Sequence, residues 1–261
     1  MASATSPSLF VSHGAPTLAL EPNAAHLFLR RLPQQLPPPR AILAVSAHWT
    51  TAEPAVGTGA KPDTIHDFAG FPPQLYDLTY PAPGAPDVAD EVHALLQGAG
   101  IAVTRDPDRG LDHGAWVPLR LMYPHADVPV TQLSIQPHLG PAHHLALGRT
   151  LQTLRRRGVL LLASGGLVHN LGRLDRSSQP PPWAAQFEQW MTDAVVGGDL
   201  EALLAYRQRA PHAEDAHPTD EHLLPLFVAL GAAGDRPRGS VLHRSFTYGS
   251  LSMASYAFSE G

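Results

Sequence analysis

Three short runs of apolar and small residues punctuate the chain: Leu9-Phe10-Val11 before Ser12, Ala41-Ile42-Leu43-Ala44-Val45 before Ser46, and Val159-Leu160-Leu161-Leu162-Ala163 before Ser164. None alternates apolar with polar, so each reads as a strand covered on both faces rather than one with a wet side. Each run also leads into a histidine: His13, His48 and, through Gly165-Gly166, His169. Residues 101–104 and 128–135 are further strand candidates, and residues 250–258 a final strand.

Helical spacing fills the intervals. Residues 24–32 form one helix, and residues 87–98 another, with Val88, Val92, Leu95 and Leu96 on one face and Gly98 and Gly100 closing it. Residues 115–123 follow with Pro118 in the first turn. Residues 141–157 carry Leu145, Leu147, Leu151 and Leu154 on one side and end in Arg155 to Arg157, where cations suit the helix dipole. Residues 183–196 and 199–206 also read as helices, and residues 207–216 as a polar stretch. A last helix opens in His217-Pro218-Thr219-Asp220-Glu221-His222 and runs to about residue 231, with Pro225 able to kink or restart it. Residues 50–86 lack periodicity but hold much Gly, Pro and aromatic content, which marks a functional wall or lid more than a linker.

This alternation is an α/β chain. With 261 residues and no boundary in composition, it reads as one large domain, residues 1–261. Apolar residues make up 44% and charged residues 16%, a globular balance rather than a disordered one. Net charge is −5 and Lys61 is the single lysine, so no basic stripe supports nucleic-acid binding. Met1 to Pro7 has no positive leader region, and no apolar run approaches a membrane span. The absence of cysteine fits a cytoplasmic protein and confines any metal to nitrogen and oxygen donors.

Fifteen histidines are an excess. His26, His93, His143 and His144 fall in helices, where solvated or packing roles suffice. His13, His48, His113, His169 and His222 instead stand at strand ends or near glycine-flanked turns. In open α/β sheets ligands bind beyond the carboxyl ends of the strands, so several of these imidazoles can converge on a metal. Neutral imidazole suits Fe(II) and Zn(II), and three protein ligands leave open positions. The third ligand has three candidates in Glu221, His222 and His217. Residues 221 and 222 differ by about 100° around a helix, so only one of them faces the crevice. His113, next to Asp112, has the form of an acid/base group. Ser164 lacks the Gly-x-Ser-x-Gly setting of a hydrolase nucleophile.

Seven motifs in chain order resemble the class III extradiol ring-cleavage dioxygenases, in the 4,5-DOPA dioxygenase-like branch. They are Ser12-His13-Gly14-Ala15-Pro16, Ser46-Ala47-His48-Trp49, Ile65-His66-Asp67-Phe68, Tyr80-Pro81-Ala82-Pro83-Gly84, Leu111-Asp112-His113-Gly114, His169-Asn170 and Pro218 to His222. The likeness continues to Ser250-Leu251-Ser252-Met253. It implies a central, mostly parallel sheet flanked by helices, and a non-haem Fe(II) site that can hold Zn(II) in purified protein. His13, His48 and His222 would be metal ligands. His169 would be a fourth ligand or the base, His113 the second acid/base residue, and His217 a supporting group. The implied substrates are a catechol, DOPA-like, and O2, giving a ring-opened semialdehyde.

A zinc-dependent hydrolase using the same histidines is the rival reading, and a non-catalytic binding protein a third. Retention of both His113 and His169 favours ring cleavage, because a zinc hydrolase normally uses one general base. Arg173, Arg244, His66 and Asp67 are candidate partners for a DOPA side chain. Nothing in the spacing selects among them, and nothing indicates oligomeric state.

Overall fold

The computed structural model describes residues 5–174 and 177–261, so the reading of Met1 to Pro7 lies partly outside it. The strands are β1 (Ser8–Ser12), β2 (Ala41–Thr50), β3 (Ala55–Gly57), β4 (Thr104–Asp106), β5 (Val130–Ile135), β6 (Val159–Gly165), β7 (Pro237–His243), β8 (Phe246–Thr247), β9 (Leu251–Ser252) and β10 (Ser255–Glu260). The α-helices are α1 (Ala24–Arg31), α2 (Pro86–Gly98), α3 (His113–Met122), α4 (Gly140–Arg156), α5 (Pro182–Gly197), α6 (Leu200–Leu204), α7 (Tyr206–Arg209), α8 (Ala213–Ala216) and α9 (Leu224–Ala232).

Eight strands make one sheet in the order β4-β3-β5-β2-β6-β1-β10-β7. Its centre is parallel: β6 lies between β1 and β2 and runs with both, and β2 runs with β5. The C-terminal strands β10 and β7 add antiparallel beyond β1. This is the single α/β domain with a mostly parallel sheet that the motifs imply.

The unalternated runs have a direct physical explanation. Successive side chains point to opposite faces of a strand, and here both faces are dry. Leu43 and Val45 enter one core while Ile42 and Ala44 enter the other, and Leu161 and Ala163 are divided from Leu160 and Leu162 in the same way. The first core is closed by α2, α4, α5 and α9, and the second by α1 and α3. Every residue of α9 is buried, so it is a central helix without a wet face. Among the described residues no helix is long and apolar enough to cross a membrane.

Several boundaries differ from the sequence reading. β2 does not stop before His48 but continues to Thr50, with its pairing to β5 skipping from Val45 to Thr50. His48 therefore lies on an irregular strand end. The strand expected at residues 101–104 forms at Thr104–Asp106 instead. The last helix begins at Leu224, because Pro225 suits a first turn that has no use for its missing N–H. Glu221 and His222 thus precede the helix, and the argument from helical angles does not apply to them. β7 went unread because it is a sheet edge with only Pro237 buried, so it carries no apolar pattern.

Candidate metal centre

Five imidazoles gather at the carboxyl ends of the parallel strands. His13 follows β1, and its backbone N–H donates to Gly165 O at 3.0 Å, anchoring it to the end of β6. His48 comes from the end of β2, His113 opens α3, and His169 follows β6. His222 is held against β6 by the Gly166 N–H, which donates to His222 O at 2.9 Å. That contact needs glycine at 165, where a β-carbon would stand 2.1 Å from His222 O. Gly114 is constrained in the same way, since a β-carbon there would meet Ser46 Oγ at 2.3 Å and His48 Cδ2 at 2.9 Å.

The ring centroids of His13, His48 and His222 lie 4.9, 4.9 and 5.5 Å apart pairwise. His113 is 4.0 Å from His48 and 5.4 Å from His13. His169 stacks on His222 at 3.3 Å. Among the described residues two sets of donor atoms are mutually close enough to share an ion: His13, His48 and His113, and His169, Glu221 and His222. The trio His13, His48 and His222 straddles these sets, so proximity alone selects no ligand set.

Hydrogen bonding does orient the rings. Ser164 Oγ donates to Gly114 O, and its lone pair therefore accepts from His13 Nδ1–H at 2.9 Å. Glu221 Oε1 accepts from His222 Nδ1–H at 3.0 Å, and Asp67 Oδ2 stands 3.4 Å from His48 Nδ1. With each Nδ1 facing an acceptor, the Nε2 lone pairs point inward. His13 Nε2 and His48 Nε2 approach to 3.0 Å, and His222 Nε2 is buried with no hydrogen-bond partner. Two lone pairs at that separation need a cation or a proton between them. An acceptor behind each imidazole is the usual arrangement where such nitrogens hold a metal.

Charge state agrees with this donor set. Burial first, and the neighbouring imidazoles second, hold His13 and His222 well below the usual histidine value. Burial also brings His48 and His169 down to about 4. All four are neutral at pH 7, the form that binds metal.

Asp67, which the sequence offers as a partner for the substrate side chain, stands instead against His113 and His48. It accepts from the His113 backbone N–H at 2.8 Å, and its Oδ1 lies 3.0 Å from His113 Nδ1, off the line of a good hydrogen bond. Burial alone would raise its carboxyl, but His113 and His48 outweigh that and hold it at about 2. Asp112, adjacent to His113, instead caps α3 through Ala115 N–H and binds Ser46, Arg109 and Gln132. Ser164 is the orienting partner of His13. His217 is fully buried, and its Nε2 meets Leu167 O at 2.8 Å rather than turning to the cluster. His66 Nε2 bonds Leu78 O.

Above the histidines is a cavity of about 450 Å³. Asp67, Phe68, Ala69 and Phe71 from the irregular 50–86 segment line it, together with Leu171, Leu174, Tyr248 and Leu251.

The family described as the catalytic LigB subunit of aromatic ring-opening dioxygenase matches residues 8–259. A 4,5-DOPA dioxygenase extradiol of Beta vulgaris is 44% identical over 96% of both chains. One of Escherichia coli K12 is 41% identical over 98% of this chain and 95% of its own. The crystal structure of an uncharacterized protein from Escherichia coli K12 superposes with a TM-score of 0.82 at 35% identity, covering 98% of this chain and all of that one.

Proposed function

We propose, for a chain that belongs to the LigB family of aromatic ring-opening dioxygenases, that its single catalytic domain opens the ring of a catechol with O2 at an Fe(II) ion. His13, His48 and His222 hold the metal through Nε2, with Zn(II) able to occupy the same nitrogens. The unpartnered Nε2 of buried His222, facing the close pair of His13 and His48, is the observation that carries this reading. When bound, the metal supplies a Lewis acid that lowers the pKa of the diol and a centre at which O2 and substrate meet.

The protein's own groups then handle protons and access. His169, neutral and flush against His222, takes the proton that a catechol hydroxyl releases. His113 works from the opposite side. Asp67 faces its Nδ1, so a proton that His113 takes up at Nε2 can be passed back into the cavity. Ser164, Glu221 and Asp67 keep the imidazoles in the tautomer each role needs. Phe68 and Phe71 exclude water from the reacting ring. DOPA-like catechols are the substrates the relatives' names support, and the lack of cysteine supports a cytoplasmic setting.

Anaerobic loading with Fe(II), followed by catechols and air, tests the assignment. Oxygen uptake matched to a yellow ring-opened product is expected, and its absence across a catechol panel would defeat the reading. His169→Ala should lower turnover by about 100-fold or more while the metal stays bound; loss of the metal would reassign His169 as a required ligand.

A further inference from the structure

Behind the histidines stands Asp112, wholly buried. Its Oδ1 accepts from Ser46 Oγ of β2 at 2.6 Å and from the Ala115 N–H of α3 at 3.2 Å. Its Oδ2 accepts from Gln132 Nε2 of β5 at 2.6 Å and from Arg109 Nη2, in the turn that leads into α3. Each oxygen thus takes two bonds, which uses the accepting capacity of a carboxylate in full. Together they tie two neighbouring strands of the sheet to the start of a helix.

Two of the ends so joined present an imidazole. Ser46 Oγ, having given its proton to Asp112, accepts from the His48 N–H at 3.2 Å. That bond falls where the pairing of β2 with β5 skips from Val45 to Thr50, so a side chain takes over where the regular ladder stops. Arg109 adds a second hold, its guanidinium lying 4.9 Å over the ring of Trp49, the residue after His48. On the helix side, the bond to the Ala115 N–H caps the turn whose first residue is His113. The rings of His48 and His113 meet with centroids 4.0 Å apart.

We infer that Asp112 is a positioning residue of this centre: it clasps the strand end that presents His48 to the helix start that presents His113, and so sets the spacing of the two imidazoles. This rests on the proposed function, in which His48 holds the metal and His113 moves a proton. Asp112→Asn keeps the shape, but whichever way the amide lies it turns a donor against donors, which loosens the clasp without emptying the space.

Zn(II) affinity is read by chelator competition, folding by the urea midpoint, and kcat and KM on the Fe(II)-loaded full chain by oxygen uptake. Asp112→Asn should weaken Zn(II) binding by about 10- to 100-fold. At saturating Fe(II) it should lower kcat by about tenfold or more and leave the catechol KM within about threefold. Adding Gln132→Glu returns an acceptor and a charge to the same spot, and the double variant should recover most of both losses. Ser46→Ala spares the carboxylate and its other partners; it should weaken Zn(II) binding by about tenfold, and it decides the matter if Asp112→Asn does not fold. Arg155→Gln is the control for stability alone, since Arg155 holds Ser6 O and Ala232 O at the other end of the sheet. It should lower the urea midpoint and leave Zn(II) affinity within about twofold.

Zn(II) affinity within about twofold of the unaltered protein in Asp112→Asn or Ser46→Ala overturns the inference. So does a folded double variant that recovers nothing, an Arg155→Gln loss of Zn(II) binding as large as that of Asp112→Asn, or an unaltered protein that binds no Zn(II). If no catechol turns over, ring cleavage fails, and the Zn(II) affinities still decide what Asp112 does.

Discussion

Asp67 meets His113 at two points, accepting from its backbone N–H at 2.8 Å and standing 3.0 Å from its ring Nδ1, across 46 residues of sequence. The carboxylate thus pins the residue that opens α3 and sets a negative charge beside its ring.

Asp67→Asn removes the charge and keeps the shape. It should lower kcat by about 100-fold, the scale of a lost acid/base contribution, while metal content stays near one ion per chain. Steady-state rates set beside elemental analysis decide the matter, and an unchanged kcat would remove Asp67 from the proton path.

Glu221→Leu takes away the acceptor behind His222 Nδ1, which now sits at 3.0 Å. Metal affinity should fall by about 10- to 100-fold. Chelator competition measures this, and Glu221→Gln should retain most of the affinity because an amide oxygen still accepts the bond.

Gly165→Ala drives a methyl group into His222 O and parts the Gly166 contact that fixes that segment. Destabilisation of about 1–3 kcal/mol is expected, with reduced metal occupancy. Denaturant midpoints and metal stoichiometry should fall together.

His144 gives a pH test remote from the metal centre. Its Nδ1–H donates to Gly140 O at 2.7 Å, and its Nε2 accepts from the Gln136 N–H at 3.1 Å. Burial is the main cause that brings it down to about 4, against a value near 6.5 in an unfolded chain. Between those values the unfolded chain holds a proton that the folded one lacks, so stability declines as pH falls through that window. The contribution is at most about 3 kcal/mol. His144→Gln should flatten the decline relative to the unaltered protein, and parallel slopes in urea titrations across the window would refute the assignment.

The buried sheet was legible in the sequence because both of its faces are dry, so β2 and β6 read as unbroken apolar runs. The gathering of histidines at strand ends was legible for a related reason, since parallel strands deliver their next residues to one edge. The partners behind those histidines were not. Adjacency offered Asp112 to His113, yet the turn into α3 aims Asp112 at Ser46, Arg109 and Gln132. Only the fold returns Asp67 to that place. Ser164 and Glu221 showed their hydroxyl and carboxylate in the sequence, but whether such groups react or orient depends on what they face. β7 had no signal at all, because an edge strand exposed to water needs no apolar pattern.

The antiparallel pairing of β10 with β1 has a consequence for synthesis. His13 is made near the start, but the outer edge of its strand has no neighbour until residues 255–260 leave the ribosome, when Ser12 Oγ also reaches Ala254 O at 2.8 Å. His222 arrives only shortly before. The nascent chain therefore carries its first imidazoles for most of translation without the cup that joins them, and the five histidines cannot gather on a half-made protein.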